Sequence, residues 1–495
     1  MQLSIEALLL VIYIAFNLYL LLHHEQWRDE ANVWLMGREL SLVELFREIK
    51  YQGHPCLWYL IVMPFAKLQL PFETIGILSL LVMSGAVGVF LIKGRCSLIL
   101  KALVIFSPFF TYFYSVVARN YCLIPITLML LAWLHKDRWK HSLGYGLLLG
   151  LLVQEDIIAV PIAGIISLWW LCEGIRILLG NQLNQKEKKQ KMVRLFGGLL
   201  IPLFSLFALF LQLRGVSEST QFGIQDLGLS DTIIALRDSA YGLICRITGW
   251  NRSVCIAFYI VMLLMLVWIS VLKKNLWPTM VFISTWLFQV IFSALVYQLH
   301  MWHYLILGAV ALWTVWLYLD DSDYFGKGKL IGYGKYGVQI MIGVLCIAGF
   351  CHWNSEAESS SLKGALYGVY SGGKDAARFI RENMDKEDII ISTDVAFDST
   401  ILAYLPGYTF IYAGTLEKES YADWTEKQME EISVPELMQN IHEVYPEKDK
   451  VYLILTENNC LYDREYLEKL ERIYVTPEKT IREENYTIYR VYGGK

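Results

Sequence analysis

The sequence predicts a polytopic α-helical membrane protein with a small α/β domain at its C-terminal end. Of 495 residues, 55% are hydrophobic and only 18% are charged. A soluble domain normally needs more charge to fill its surface. Apolar runs of spanning length recur from residue 3 to residue 353, and then the pattern changes. From residue 354 to 495, helical stretches alternate with short β-branched runs, the third observation. The expected division is a transmembrane domain, 1–353, and an α/β domain, 354–495.

Crossing the hydrocarbon core takes about 20 apolar residues. Candidate spans lie at 3–22, 74–92, 99–116, 121–135, 142–154, 157–174, 195–213, 254–272, 276–297, 303–319 and 337–353, about eleven in all. The first run has no basic residues before it and no small-residue cleavage site after it, so it reads as a retained helix. Sixteen Trp and 30 Tyr fit aromatic belts at the two interfaces. The nine Cys contain no CxxC and read as small buried hydrophobes. A net charge of −4 gives no sign of a nucleic-acid partner.

The run 55–71 is short, holds Pro55, Pro64 and Pro71, and carries Lys67. Lys and Arg accumulate on the cytoplasmic side, which decides its placement. The basic loops are Lys93/Arg95, Lys136/Arg138/Lys140, 176–194, Lys273/Lys274 and Lys327/Lys329/Lys335. If 55–71 lies along the outer surface as a juxtamembrane segment, all five fall on one side with the N-terminus. That topology sends 23–73, 119–120, 154–156, 214–252, 300–303 and the tail outside. The expected location is a plasma membrane, with a cytoplasmic N-terminus and an extracytoplasmic C-terminal domain. The charged stretch 182–191 reads as a solvated linker, with contact to anionic lipid headgroups as the alternative.

The outer set holds every unusual polar residue near a span end. Asp29-Glu30 lies just beyond the first span, within EQWRDEANVWLMGRELSLVELFREIKYQGHP. A carboxylate at a low-dielectric boundary becomes a stronger base and can draw a proton from an attacking hydroxyl. Asp29 has the competing role of helix N-cap. Arg119, in FFTYFYSVVARNYCL, offers a bidentate grip on a lipid phosphate; the alternative is an Arg snorkelling to the headgroups. Glu155-Asp156 breaks an apolar stretch. Carboxylates there suit Mg²⁺ or Mn²⁺, and ordinary turn charges are the competing reading. His300 and His303 share a helix face, with phosphate or hydroxyl contact set against a place in the aromatic belt. The tail shows no Gly-rich phosphate loop, metal cluster or triad pattern and is assigned no chemistry.

WRDEANVWLMGRELSLVELFREIKYQGHPCLWYLI resembles the first outer loop of GT-C membrane glycosyltransferases of the protein O-mannosyltransferase and aminoarabinose transferase type. That family shows an Asp-Glu pair, an Arg-containing helix and then Gly-His-Pro-Pro-Leu-Trp-Tyr. SPFFTYFYSVVARNYCL resembles its later Ser-Pro, aromatic, Ala-Arg-x-Tyr segment. The match is specific over 25–60 and 105–125, architectural over the remaining membrane part, and absent in the tail. The resemblance implies a GT-C-like fold and inverting transfer from a polyprenyl-phosphate-linked sugar to a glycan, lipid or protein hydroxyl on the outer face. By matching position, Asp29 would be the base with Glu30 its neighbour. Arg119 would hold the donor phosphate, helped by His300 or His303, with His54 and Tyr121 in the substrate loop. The second Pro of the family motif is Cys56 here, which would loosen that turn.

Two other classes stay open. A transporter or flippase of lipid-linked sugars predicts mid-span ionisable residues and paired broken helices, and no inverted repeat is evident. A membrane-anchored binding protein would not need about eleven spans. No cofactor is certain; a divalent metal, Mg²⁺ or Mn²⁺, is the one candidate.

Overall fold

A mean apolar helix hides its own backbone polar groups, and this is why the apolar runs fold as helices. The computed structural model describes residues 2–180, 184–215, 219–220, 223, 227–320, 329–355, 362–429, 432–445, 450–456, 467–468 and 470–491. Among the described residues eight helices are long and apolar enough to cross a membrane: Leu3–Leu22, Thr74–Lys93, Ile157–Leu179, Gln185–Leu213, Arg252–Lys273, Trp277–Leu295, Met301–Asp320 and Tyr333–Asn354. The chain is a multi-pass membrane protein with a small C-terminal sheet. By contacts it divides into two units. One comprises Met1–Leu18, Ser79–Arg214 and Phe222–Ser355; the other comprises Tyr19–Leu78, Gly215–Gln221 and Glu356–Lys495. The second unit thus takes in the loop after the first span as well as the tail.

Three candidate spans depart from expectation. The run 99–116 is not one helix: Leu98–Ile105 ends before Ser107-Pro108, and turns follow to residue 119. Proline disfavours the α conformation just before it and lacks a backbone donor. Leu123–Leu134 and Ser142–Val153 are 12 residues each, short of a full crossing. Conversely, Leu229–Thr248 is a 20-residue helix inside what reads as a loop, because Asp231, Arg237, Asp238 and Arg246 lower its hydropathy. It packs against Trp277–Leu295 and Lys329–Ser355. Leu57–Lys67, at 11 residues, is too short to cross alone, as the juxtamembrane reading of 55–71 requires. Lys327 lies outside the described residues.

In the first unit, the irregular stretch 106–119 is almost wholly buried. Its backbone groups therefore need protein partners. Tyr13 donates its hydroxyl to the Phe110 carbonyl at 2.7 Å. Asn17 Oδ1 accepts from the Tyr112 N–H at 3.2 Å and from the Ser115 hydroxyl at 2.6 Å. Tyr112 sits at φ 70, a left-handed conformation that costs a bulky residue roughly 1–3 kcal/mol. Glu6 and Lys101 form a buried ion pair at 2.7 Å, tying the first helix to Leu98–Ile105. Ser142–Val153 lies close against Gln185–Leu213, where a Cβ on Gly146 would overlap the Gly198 carbonyl. Only glycine permits that approach.

The second unit is built on a six-stranded mixed sheet: β1 (Ile389–Ser392), β2 (Phe410–Tyr412), β3 (Lys418–Glu419), β4 (Val451–Thr456), β5 (Glu471–Val475) and β6 (Tyr486–Val491). The order is β3-β2-β1-β4-β6-β5, with β1 parallel to β2 and β4 and the outer pairings antiparallel. Ile391 and Leu453 pack with Leu437, Met438 and Ile441 of the helix Val434–Val444 in its core. The loop after the first span is bonded to this domain. Tyr404 donates to Gln26 Oε1 at 2.8 Å and accepts from the Gln26 N–H at 3.1 Å. The Tyr370 N–H donates to Glu25 at 2.8 Å. Asn32 donates to Gln52 at 2.7 Å and accepts from the Ala422 N–H at 2.8 Å. Gln52 donates to the Ala422 carbonyl at 2.8 Å and accepts from the Trp424 indole at 3.2 Å.

Asn32 and Gln52 are buried, so removing one partner strands the other. Asn32→Ala is expected to lower stability by roughly 1–3 kcal/mol and to speed proteolysis between the loop and the tail. Thermal unfolding of the purified protein checks this; an unchanged midpoint would contradict the joint.

Candidate active site

Asp29 lies in the first turn of Arg28–Glu39, with Trp27 at the N-cap position, so the cap role expected for Asp29 falls elsewhere. Carboxylates in a first turn are favoured by the helix macrodipole. The Asp29 side chain is 24% exposed and stands 3.9 Å from the Arg28 guanidinium. Glu30 is different. It is wholly buried, accepting from the Trp27 N–H at 3.1 Å and meeting His24 Nε2 at 3.1 Å. Of the acidic pair, Asp29 reaches the surface and Glu30 anchors the turn that presents it.

The tail supplies the surroundings of this turn. Glu484 accepts from the Arg28 N–H at 3.0 Å, the Ser371 hydroxyl at 2.6 Å and the Thr400 hydroxyl at 3.3 Å. Burial pushes its carboxyl up to about 7, against the opposing charge of Arg28. The Arg28 guanidinium lies 4.2 Å from the Phe397 ring centre. Arg482 lies 4.2 Å over Trp27 and donates to the Tyr370 hydroxyl at 2.7 Å. Sequence reading missed Glu484, Phe397 and Arg482, because nothing in ordinary loop and helix-start residues marks contact with a loop over 350 positions away. His54 is half-buried in the turn that follows Gly53, whose φ is 66. The turn holds despite Cys56: a new helix begins directly at Leu57, and the Cys56 carbonyl accepts from Leu60 at 3.0 Å.

In the first unit, Arg119-Asn120-Tyr121 opens the short turn before Leu123–Leu134. Asn120 donates to the Glu155 carbonyl at 2.7 Å and to Asp156 Oδ2 at 2.9 Å. Tyr121 meets His303 Nε2 at 2.8 Å. His303 Nδ1 accepts from the His300 N–H at 3.0 Å, so its proton sits on Nε2 and is donated to Tyr121. His303 is buried and positions Tyr121, whereas His300 is exposed and stacks on Trp302 at 4.9 Å. Two neighbours clamped inward thus fix Arg119, half-buried with its guanidinium 5.7 Å from the Tyr121 ring centre. The geometry brings together Arg119, Tyr121, Glu155, Asp156, His300 and His303.

The Glu155–Asp156 pair does not fit Mg²⁺ or Mn²⁺, which needs several converging oxygens. Asp156 spends Oδ1 on the Ile158 N–H at 2.8 Å and Oδ2 on Asn120. Glu155 accepts from the Thr127 hydroxyl, and burial pushes its carboxyl up to about 8, toward the uncharged form. Among the described residues no three His, Cys, Asp or Glu side chains gather as a metal site.

No family model matches this sequence, and no curated protein matches it. Solved structures do. The crystal structure of ArnT from Cupriavidus metallidurans in the apo state superposes with a TM-score of 0.53 at 9% identity, covering 99% of this chain and 98% of that one. The fold is the ArnT fold. ArnT bound to undecaprenyl phosphate gives a TM-score of 0.50 at 9% identity, covering 99% and 97%. The likeness to ArnT runs through the tail, where the sequence shows no resemblance, and it accords with the GT-C-like, aminoarabinose-transferase-type fold expected from residues 25–60 and 105–125.

The raised Glu484 carboxyl has a signed consequence. The folded state holds this proton more tightly than the unfolded chain, so the contribution is full below about pH 4.5 and is lost as pH rises through about 7. Glu484→Gln is expected to remove roughly 3 kcal/mol of this pH dependence. Unfolding midpoints of both proteins from pH 4.5 to 8 measure it; parallel curves would contradict it.

Proposed function

We propose that this chain is an inverting glycosyltransferase that moves a sugar from a polyprenyl-phosphate-linked donor to a hydroxyl of a cell-envelope glycan, lipid or protein. The observation that carries the reading is the ArnT fold over 99% of the chain, on which the family-matched Asp29 is a partly exposed carboxylate. One solved ArnT holds undecaprenyl phosphate, which supports a polyprenyl donor here.

In this reading the acceptor hydroxyl gives its proton to Asp29 as its oxygen bonds to the anomeric carbon. The bond from that carbon to the phosphate oxygen breaks on the opposite face, and the phosphate leaves with the electron pair. Arg119 meets the charge that builds on it. A leaving group already anionic needs no proton donor, so one base and one cation suffice. Glu30 and His24 hold the Asp29 turn, and Tyr121, set by His303, holds the Arg119 turn. His300 is the further candidate for phosphate contact, and His54 shapes the loop. The reaction takes place on the outer face of a plasma membrane, with the N-terminus cytoplasmic and the tail outside. The tail's role in this scheme is to hold the loop that carries the base.

Asp29→Asn is expected to cut transfer by at least about a thousandfold while leaving expression and unfolding unchanged. Mass analysis of cell-surface glycans and lipid-linked sugars checks it, with donor accumulating as the modified product disappears. Undiminished product would remove Asp29 as the base. Arg119→Gln is expected to weaken binding of undecaprenyl phosphate to the purified protein roughly tenfold or more. Equal affinity would return Arg119 to a snorkelling role.

A further inference from the structure

The sequence reads all nine Cys as small buried hydrophobes, yet the fold brings two of them together. Cys245 lies in the last turn of Leu229–Thr248, and Cys255 in the first turn of Arg252–Lys273. The turn between them is tightly specified. Gly249 ends the first helix at φ 67, its N–H donating to the Cys245 carbonyl at 2.8 Å. Asn251 starts the next helix, its side chain accepting from the Val254 N–H at 3.1 Å and its carbonyl from the Cys255 N–H at 3.1 Å. Both caps therefore act on the residues that carry the thiols. The two Sγ atoms stand 3.0 Å apart, well inside an ordinary contact of about 4 Å. Closing by about 1 Å makes a disulfide bond.

The pair lies at the end of the first unit that carries His300 and His303. Arg246, next to Cys245, donates to the Leu299 carbonyl at 3.1 Å, and its guanidinium stands 5.9 Å from the Tyr304 ring centre. The Leu299 N–H in turn donates to the Ser293 hydroxyl at 3.2 Å. Lys273 stands at the opposite end of the helix that begins beside Cys255. Disulfides form and persist outside the cytosol, where the surroundings are oxidising. The transferase reading places the His300 end on the outer face.

We propose that Cys245 and Cys255 are joined as a disulfide that pins Leu229–Thr248 to the span Arg252–Lys273 beside the His300 turn. The inference rests on the outer-face placement in the transferase reading. The oxidant is the disulfide of a thiol oxidoreductase in that compartment. Cys245 is partly exposed and Cys255 is buried, so Cys245 is the entry point. Its thiolate attacks one sulfur of the oxidant's disulfide, forming a mixed disulfide and releasing the oxidant's second thiol. Cys255 Sγ then bonds to Cys245 Sγ and expels the first. The two protons and two electrons lost by the cysteines end on the oxidant's dithiol.

The test uses the full chain in the cells that make it. They are quenched in acid and then denatured in N-ethylmaleimide, so that no thiol oxidises afterwards. Trypsin cuts after Arg246 and Arg252, between the two cysteines. Mass analysis without reductant is expected to find the peptides 238–246 and 253–273 as one linked species. Reduction should separate them, with maleimide on neither. Maleimide on both cysteines in most of the unreduced chains overturns the proposal. A variant distinguishes that outcome from a failure of the outer-face placement. In Cys245→Ser/Cys255→Ser/Arg252→Cys, the reporter thiol replaces an exposed side chain and has neither native partner. A membrane-impermeant maleimide is applied to intact cells. Free native thiols with a labelled reporter overturn the disulfide alone. Free native thiols with an unlabelled reporter overturn the outer-face placement with it.

Discussion

Non-helical backbone inside a membrane protein must find every hydrogen-bond partner within the protein, and the stretch 106–119 depends on that constraint. Its partners come from two polar residues on the first helix. Tyr13 serves the Phe110 carbonyl, and Asn17 serves the Tyr112 N–H and the Ser115 hydroxyl. The left-handed Tyr112 is tolerated because these bonds over-determine it. The stretch delivers Arg119-Asn120-Tyr121 to the turn, where Asn120 and Tyr121 are then clamped by Asp156 and His303. An ordinary helix over the same residues would instead rotate Arg119 with its turn and leave the neighbouring polar groups unsatisfied.

A similar logic holds the acidic loop. The residues around the partly exposed Asp29 tie its turn to the tail: Glu25 to Tyr370, Gln26 to Tyr404, the Arg28 backbone to Glu484, and Asn32 to Ala422. These bonds join positions more than 340 apart in sequence. The tail is thus a structural part of the unit that carries the loop, whatever else it binds. Preorganising one carboxylate through its neighbours is how a base can be held in position.

Much of this was legible in the chain because charge and apolar length report directly on solvent. Lys136, Arg176 and Lys273 line one cavity, and Asn120, Asp156 and His303 gather elsewhere. The Asp-Glu pair and the Gly-His-Pro break were likewise visible. Hydropathy failed at 99–116, where apolar aromatic residues form turns, since burial in protein and burial in a helix look alike in composition. It also failed at Leu229–Thr248, whose charges hide a long helix. The separate fates of Glu30 and Asp29, and of His303 and His300, were illegible because they turn on partners brought in by tertiary packing. Glu484 could not be found at all without the fold.

The central claim is that Arg119 grips a lipid phosphate. A structure of the full chain in lipid nanodiscs with undecaprenyl phosphate measures this directly. The account predicts the phosphate within hydrogen-bond distance of the Arg119 guanidinium, and a phosphate found among Lys136, Lys273 and Lys274 instead would contradict it.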